Sequence, residues 1–140
     1  LSQERCQGLD PQLATQLQSG LPAIPLTGFP ALRSAVANDM GPHLEYAQLV
    51  EALGQKNWVM VCISTSGNAS NVCKAAQVAR ARGMKILSLT GAGGGALGPL
   101  SDCSLQVPCA RTCEAQELHL PIYHCLCLML EESLFTKQAS

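Results

Sequence analysis

The segment from Trp58 to Arg82 constrains this chain most. An apolar run, Trp58-Val59-Met60-Val61-Cys62-Ile63, leads through Ser64-Thr65-Ser66-Gly67-Asn68 into a helical stretch from Ala69 to Arg82. Near-continuous apolar runs of that length suit a parallel strand covered on both faces. The following helix carries Val72, Ala75, Ala76 and Ala79 on one face and stops at Gly83. A hydroxyl-rich turn between a buried strand and a helix N-terminus is where α/β proteins hold phosphate. The first helical N–H groups lack partners within the helix and sit at the positive end of its dipole, and hydroxyls add further donors. The competing reading is an ordinary helix cap, for which Ser, Thr and Asn are the favoured residues.

The rest of the chain alternates in the same way. Pro22-Ala23-Ile24-Pro25-Leu26-Thr27 reads as a strand whose prolines suit an end or an edge. Ala31 to Ala37 and Glu45 to Leu53 read as helices, the second with Tyr46, Leu49, Val50 and Leu53 in helical spacing and Gly54 as its C′ residue. Met84 to Thr90 is a second buried strand. Gly91 to Gly95 follows it but lacks the G-x-G-x-x-G spacing and the acidic ribose-binding residue of a dinucleotide site, so it reads as a flexible connection and no nucleotide cofactor is expected. Cys103 to Val107 is a third short strand, and Thr112 to Phe135 is one long helix, with Pro121 expected to kink it. Its second half is dense in Leu, Ile and Cys, which calls for cover from another subunit. The expected fold class is α/β, a three-layer α/β/α sandwich on a parallel sheet, with ligands at the carboxyl ends of the strands. Ser64 to Asn68 and Thr90 to Gly95 both fall at that edge.

Composition narrows the function. The 140 residues are 47% hydrophobic and 14% charged, enough for one core and one domain. A net charge of −1 and few aromatics (one Trp, two Tyr, two Phe) leave neither a basic stripe nor stacking surfaces for nucleic acid. No run approaches the roughly 20 apolar residues of a membrane span, and Leu1 to Gln18 is too polar for a secretory signal, so a cytoplasmic protein is expected. Cys62, Cys73, Cys125 and Cys127 lie in apolar segments as packing thiols. Cys103, Cys109 and Cys113, near His119 and His124, match no common zinc spacing.

Several stretches, in order, resemble the sugar isomerase (SIS) domain, specifically its sedoheptulose 7-phosphate isomerase, or phosphoheptose isomerase, group. They are Leu21-Pro22-Ala23-Ile24, Ala37-Asn38-Asp39, Val50-Glu51-Ala52-Leu53-Gly54, Ile63 to Asn68, Gly83-Met84-Lys85 with Leu89-Thr90-Gly91, and Ala115-Gln116-Glu117-Leu118-His119 followed by His124. The resemblance implies an aldose–ketose isomerase of a heptose phosphate, working by proton transfer between adjacent carbons. It implies that Ser64, Thr65 and Ser66 hold phosphate, that Asn38 and Asp39 hold sugar hydroxyls, and that Gln116 and His124 face the reacting carbons. His124 would be the proton-transfer group, since an imidazole exchanges protons near neutral pH. Gln116 and His124 lie eight residues apart, a little over two helical turns, on broadly one face; His119 is read as outside the site. Some members of the group bind zinc through this Gln and His together with an early His and Glu, so Gln116 and His124 are candidate zinc ligands. A homotetramer with sites between subunits is the implied assembly.

The chain departs from the pattern in places. The resemblance places residues 1–140 in a single SIS domain without the family's first long helix, first strand and glycine-serine phosphate loop, which would carry the other zinc ligands and the early Glu. Ala69 stands where the group offers another phosphate-binding Ser, and Cys113 where an acidic residue is common. Two further readings differ in class. One is a non-catalytic SIS protein that binds the replication initiator DnaA, suggested by Cys125-Leu126-Cys127 and Leu134-Phe135 but opposed by Ser66 and His124, which that group tends to replace. The other is a phosphosugar sensor that binds without turnover.

Overall fold

The computed structural model describes residues 6–135. Helices α1 (Pro11–Gln16), α2 (Pro30–Asp39) and α3 (Glu45–Leu53) precede strand β1 (Val59–Ile63); α4 (Ser70–Ala81), β2 (Lys85–Thr90), β3 (Cys103–Gln106) and α5 (Thr112–Phe135) follow. Short 3-10 turns stand at Leu26–Gly28, Pro42–Leu44 and Gly98–Leu100. The three strands form a parallel sheet in the order β1-β2-β3, with Met60 beside Ile86, Cys62 beside Ser88 and Leu89 beside Leu105. Successive parallel strands need a crossover, which α4 and the Gly98–Leu100 turn provide. The α/β class with a parallel sheet is the one the sequence leads to.

The core lies between one face of the sheet and the pair α3 and α4. Met60, Cys62 and Ile86 meet Ala75, Ala76 and Ala79 of α4 and Val50 of α3. Three fully buried alanines on one helix face let its backbone approach the sheet closely, so the larger strand side chains fill the space. Burial pushes the Cys62 thiol up to about 12, with the nearby Cys73 a smaller cause. All eight cysteines are free thiols. Asp102 ties the start of β2 to the turn before β3: its carboxylate accepts from Lys85 Nζ and from the Ile86 N–H, both at 2.9 Å. Those bonds, the Lys85 one first, hold its carboxyl below the usual range.

Three expectations are corrected. Residues 22–27 form no strand; Pro22 and Pro25 lack the N–H a ladder needs, and the segment is an exposed coil ending in the 3-10 turn. Gly54 closes α3 without the left-handed geometry of a C′ glycine, at φ −63°; it is small because a Cβ there would meet Val50 O at 2.6 Å and Met84 Sδ at 2.8 Å. The left-handed C′ glycine is Gly83 after α4, at φ +73°. Strand β1 is covered on one face only. Val59, Val61 and Ile63 alternate with buried Met60 and Cys62 and are more than half exposed, so its apolar run has no second layer among the described residues. Finally, α5 is helical from Thr112 through Pro121 to Phe135 as expected, yet only Ala115 and His119 on it are buried. Leu128, Met129 and Leu130 are among its exposed residues. No helix of the described residues is long and apolar enough to cross a membrane.

Candidate functional site

At the carboxyl end of β1 the chain makes a tight turn, in which the Gly67 N–H donates to Ser64 O at 2.9 Å. Ser64 is anchored from below, its N–H donating to Leu89 O at 3.0 Å, and is buried, whereas Ser66 is exposed. Gly67 supplies the left-handed step, at φ +67°, that lets the chain leave the turn. Helix α4 starts only at Ser70, and its N-cap, Ala69, makes no side-chain cap. The hydroxyls of Ser64, Thr65 and Ser66 therefore do not cap the helix, and the cap reading fails for these three residues. They remain at the mouth of the turn, beside the N-terminus of α4, where the Val72 N–H donates to Asn71 Oδ1 at 2.9 Å.

The glycine-rich segment after β2 is a buttress of this turn rather than a flexible connection. The Gly91 N–H donates to Thr65 O at 2.8 Å and the Leu97 N–H to Gly67 O at 2.9 Å. A Cβ on Gly95 would lie 2.5 Å from Ser66 O, and one on Gly67 would run into the Gly94 carbonyl. Gly93, Gly94 and Gly95 all have positive φ. Two backbones in such close contact leave no room for side chains, which is why glycines cluster there without forming a nucleotide motif. The Cys73 thiol donates to the same Gly67 carbonyl at 3.6 Å.

Below this junction, Thr90 is fully buried at the end of β2, and the buried His119 places Nε2 3.1 Å from Thr90 O. An Nε2–H tautomer donates to that carbonyl. His119 thus pins the first turns of α5 to the carboxyl end of the sheet. Its sequence signal is its spacing of four from buried Ala115.

The other candidates are distributed over the surface. Asn38 and Asp39 are exposed at the C-terminal end of α2, which packs on α3. Arg33 fixes that packing, donating to Glu45 Oε2 at 2.6 Å and stacking 5.1 Å from the Tyr46 ring centroid. Gln116 and His124 are exposed on α5, the latter edge-on to Tyr123 with centroids 4.9 Å apart. The structure thus brings Ser64, Thr65 and Ser66 together with the Thr90–Gly95 segment, while Asn38, Asp39, Gln116 and His124 stand on open faces of two helices. Sequence reading includes Asn68 in the turn but gives its side chain no role; in the fold that side chain bridges Ser66 O and the Ala96 N–H, and an Asn directly after a Ser-Gly turn is the hint for it. As to zinc, Gln116 and His124 are two donors, fewer than the three protein ligands of a catalytic zinc. The described residues hold no group of three His, Cys, Asp or Glu able to bind a metal. Alone, this pair does not fit the ion.

A parallel sheet with a hydroxyl turn at the carboxyl end of β1, locked from behind by glycines, defines an α/β protein with that turn at the edge where such sheets carry ligands. The chain belongs to the SIS domain family, whose model matches residues 34–123. Among curated relatives, it is 47% identical over 114 residues to a phosphoheptose isomerase of Helicobacter pylori strain HPAG1, covering 81% of this chain and 59% of that protein. It is 41% identical over 113 residues to the phosphoheptose isomerase of Glaesserella parasuis, covering 80% and 58%. The solved phosphoheptose isomerase of Francisella tularensis superposes with a TM-score of 0.79 at 38% identity, over 82% of this chain and 62% of that one. That of Neisseria gonorrhoeae gives 0.78 at 36% identity, over 80% and 62%. The chain spans about three fifths of the length of these relatives.

Proposed function

We propose that this chain is part of a phosphosugar aldose–ketose isomerase that converts sedoheptulose 7-phosphate to a heptose 7-phosphate. The observation that carries the reading is the free hydroxyl turn Ser64 to Ser66 at the carboxyl end of β1, in a chain whose similar proteins are named phosphoheptose isomerases. In this reading the turn binds the distal phosphate, and Asn38 and Asp39 bind sugar hydroxyls. His124 takes a proton from the hydroxyl-bearing carbon beside the carbonyl and returns it to the former carbonyl carbon; a second proton passes from that hydroxyl oxygen to the former carbonyl oxygen, and Gln116 hydrogen-bonds the enediolate oxygen between the two steps. A homotetramer brings the open faces of α2 and α5 to turns on other copies, which would gather the dispersed residues. The relatives' names favour this reading over initiator binding.

The test uses the full-length protein that carries this chain, with sedoheptulose 7-phosphate as substrate and product followed by chromatography. His124→Ala is expected to lower turnover by about 10²-fold or more while substrate binding persists, as for loss of a general acid–base group. Undiminished turnover in that variant removes His124 from the chemistry, and a wild-type protein that binds the substrate without converting it turns the reading to a sensor.

A further inference from the structure

Around the phosphate turn, the side chain of Asn68 bonds to both the turn and the glycine-rich segment, and it has no role of its own in the site so far. Its Nδ2 donates to Ser66 O at 3.0 Å, its Oδ1 accepts the Ala96 N–H at 2.9 Å, and its own N–H donates to Ser66 Oγ at 3.2 Å. These three bonds run in two directions. Two hold Ser66, one at its carbonyl and one at its hydroxyl oxygen; the third fastens the Asn68 side chain to the glycine-rich segment 28 residues further on. The bond to Ser66 Oγ comes from the backbone N–H of Asn68, so only the other two depend on its side chain: one holds the Ser66 carbonyl, the other the Ala96 N–H. The Ser66 hydroxyl keeps its own hydrogen to donate.

We infer that the side chain of Asn68 is the positioning group of the phosphate turn, acting through Ser66: by holding the Ser66 carbonyl and the Ala96 N–H it keeps the turn registered on the Gly91–Leu97 segment, and so places the Ser66 hydroxyl where it can donate to a phosphate dianion. The inference rests on the proposed phosphate-binding role of the turn. Asn68 itself is exposed, so its removal opens no core cavity. The neighbouring backbone bonds, Gly91 to Thr65 and Leu97 to Gly67, hold the two loops together without it. What is lost is the anchoring of Ser66, and with it the placement of one donor at a site where a charged acceptor makes each hydrogen bond stronger than a neutral one.

The experiment compares wild type, Asn68→Ala, Ser66→Ala and the double variant in the full-length protein. It measures titration with inorganic phosphate and with sedoheptulose 7-phosphate, steady-state kinetics and melting temperature. Asn68→Ala should weaken both ligands about tenfold, as expected for one misplaced charge-assisted bond. KM should rise by a similar factor with kcat within about twofold and the melting temperature unchanged, because a uniform binding contact is lost rather than a transition-state one. In the Ser66→Ala background the further loss on removing Asn68 should vanish, the non-additivity of two residues that act as one unit. Full ligand affinity in Asn68→Ala, or losses that multiply in the double variant, overturns the inference and leaves the phosphate reading standing. A wild-type protein that binds neither ligand overturns the phosphate reading, and this inference with it.

Discussion

At the scale of single residues, Gly67 is the position where the least change does the most damage. Its φ of +67° and its contact with the Gly94 carbonyl mean that Gly67→Ala adds both a left-handed strain and an overlap with backbone, of the order of 3 kcal/mol together. Urea denaturation should show that loss, and phosphate affinity should fall with it. Cys62 provides the pH-dependent counterpart. Its thiol is pushed up from 9.0 to about 12 by burial, so above the ordinary value the unfolded chain releases a proton that the folded chain retains. Stability from this group is intact below that value and falls as pH rises toward the folded one, by about 1.4 kcal/mol per pH unit. Denaturation of wild type and Cys62→Ala at about pH 8 and about pH 10.5 checks it; the wild type should lose more between the two. Ser64, Thr65 and Ser66 could be found in the sequence because their setting is local, a turn between a strand and a helix. The bridge made by Asn68 could not, because its partner Ala96 is a loop away and only the folded backbone brings them together.

At the scale of elements, hydrophobic period was a sound guide wherever packing agreed with it. The helix Glu45 to Leu53 and the long helix Thr112 to Phe135 fall on the expected residues, and β1 and β2 each differ by one residue at the start. The apolar segment 22–27 failed because composition suggested a strand while two prolines removed its ladder donors. The glycines at 91–95 failed in the opposite sense. Glycine was read as freedom, whereas here it permits close packing, which no single-sequence pattern distinguishes. Helix α5 poses the remaining question of cover. Leu128 and Leu130 are 66% and 51% exposed, far more apolar surface than an isolated helix leaves in water. If that surface is the contact between copies, Leu130→Glu should shift the light-scattering mass toward monomer, and a wild-type protein already monomeric would contradict the tetramer.

At the scale of the whole molecule, the sheet and its helical layer are what the alternating pattern of runs and turns implied, and the SIS family membership agrees with them. The candidate site was legible in part. Its hydroxyl turn is contiguous in sequence, but Asn38 and Asp39 on α2 and Gln116 and His124 on α5 are exposed on separate elements. Local sequence pattern does not encode how such separate faces stand in space.

Strand β1 has a neighbour on one side only among the described residues, and it shows Val59, Val61 and Ile63 on its open face. A row of unspent amides and carbonyls beside three branched aliphatics is a template that another copy can extend strand by strand. Solubility at high concentration therefore becomes a kinetic race between the correct cover and self-templating, decided at an edge remote from the hydroxyl turn's chemistry.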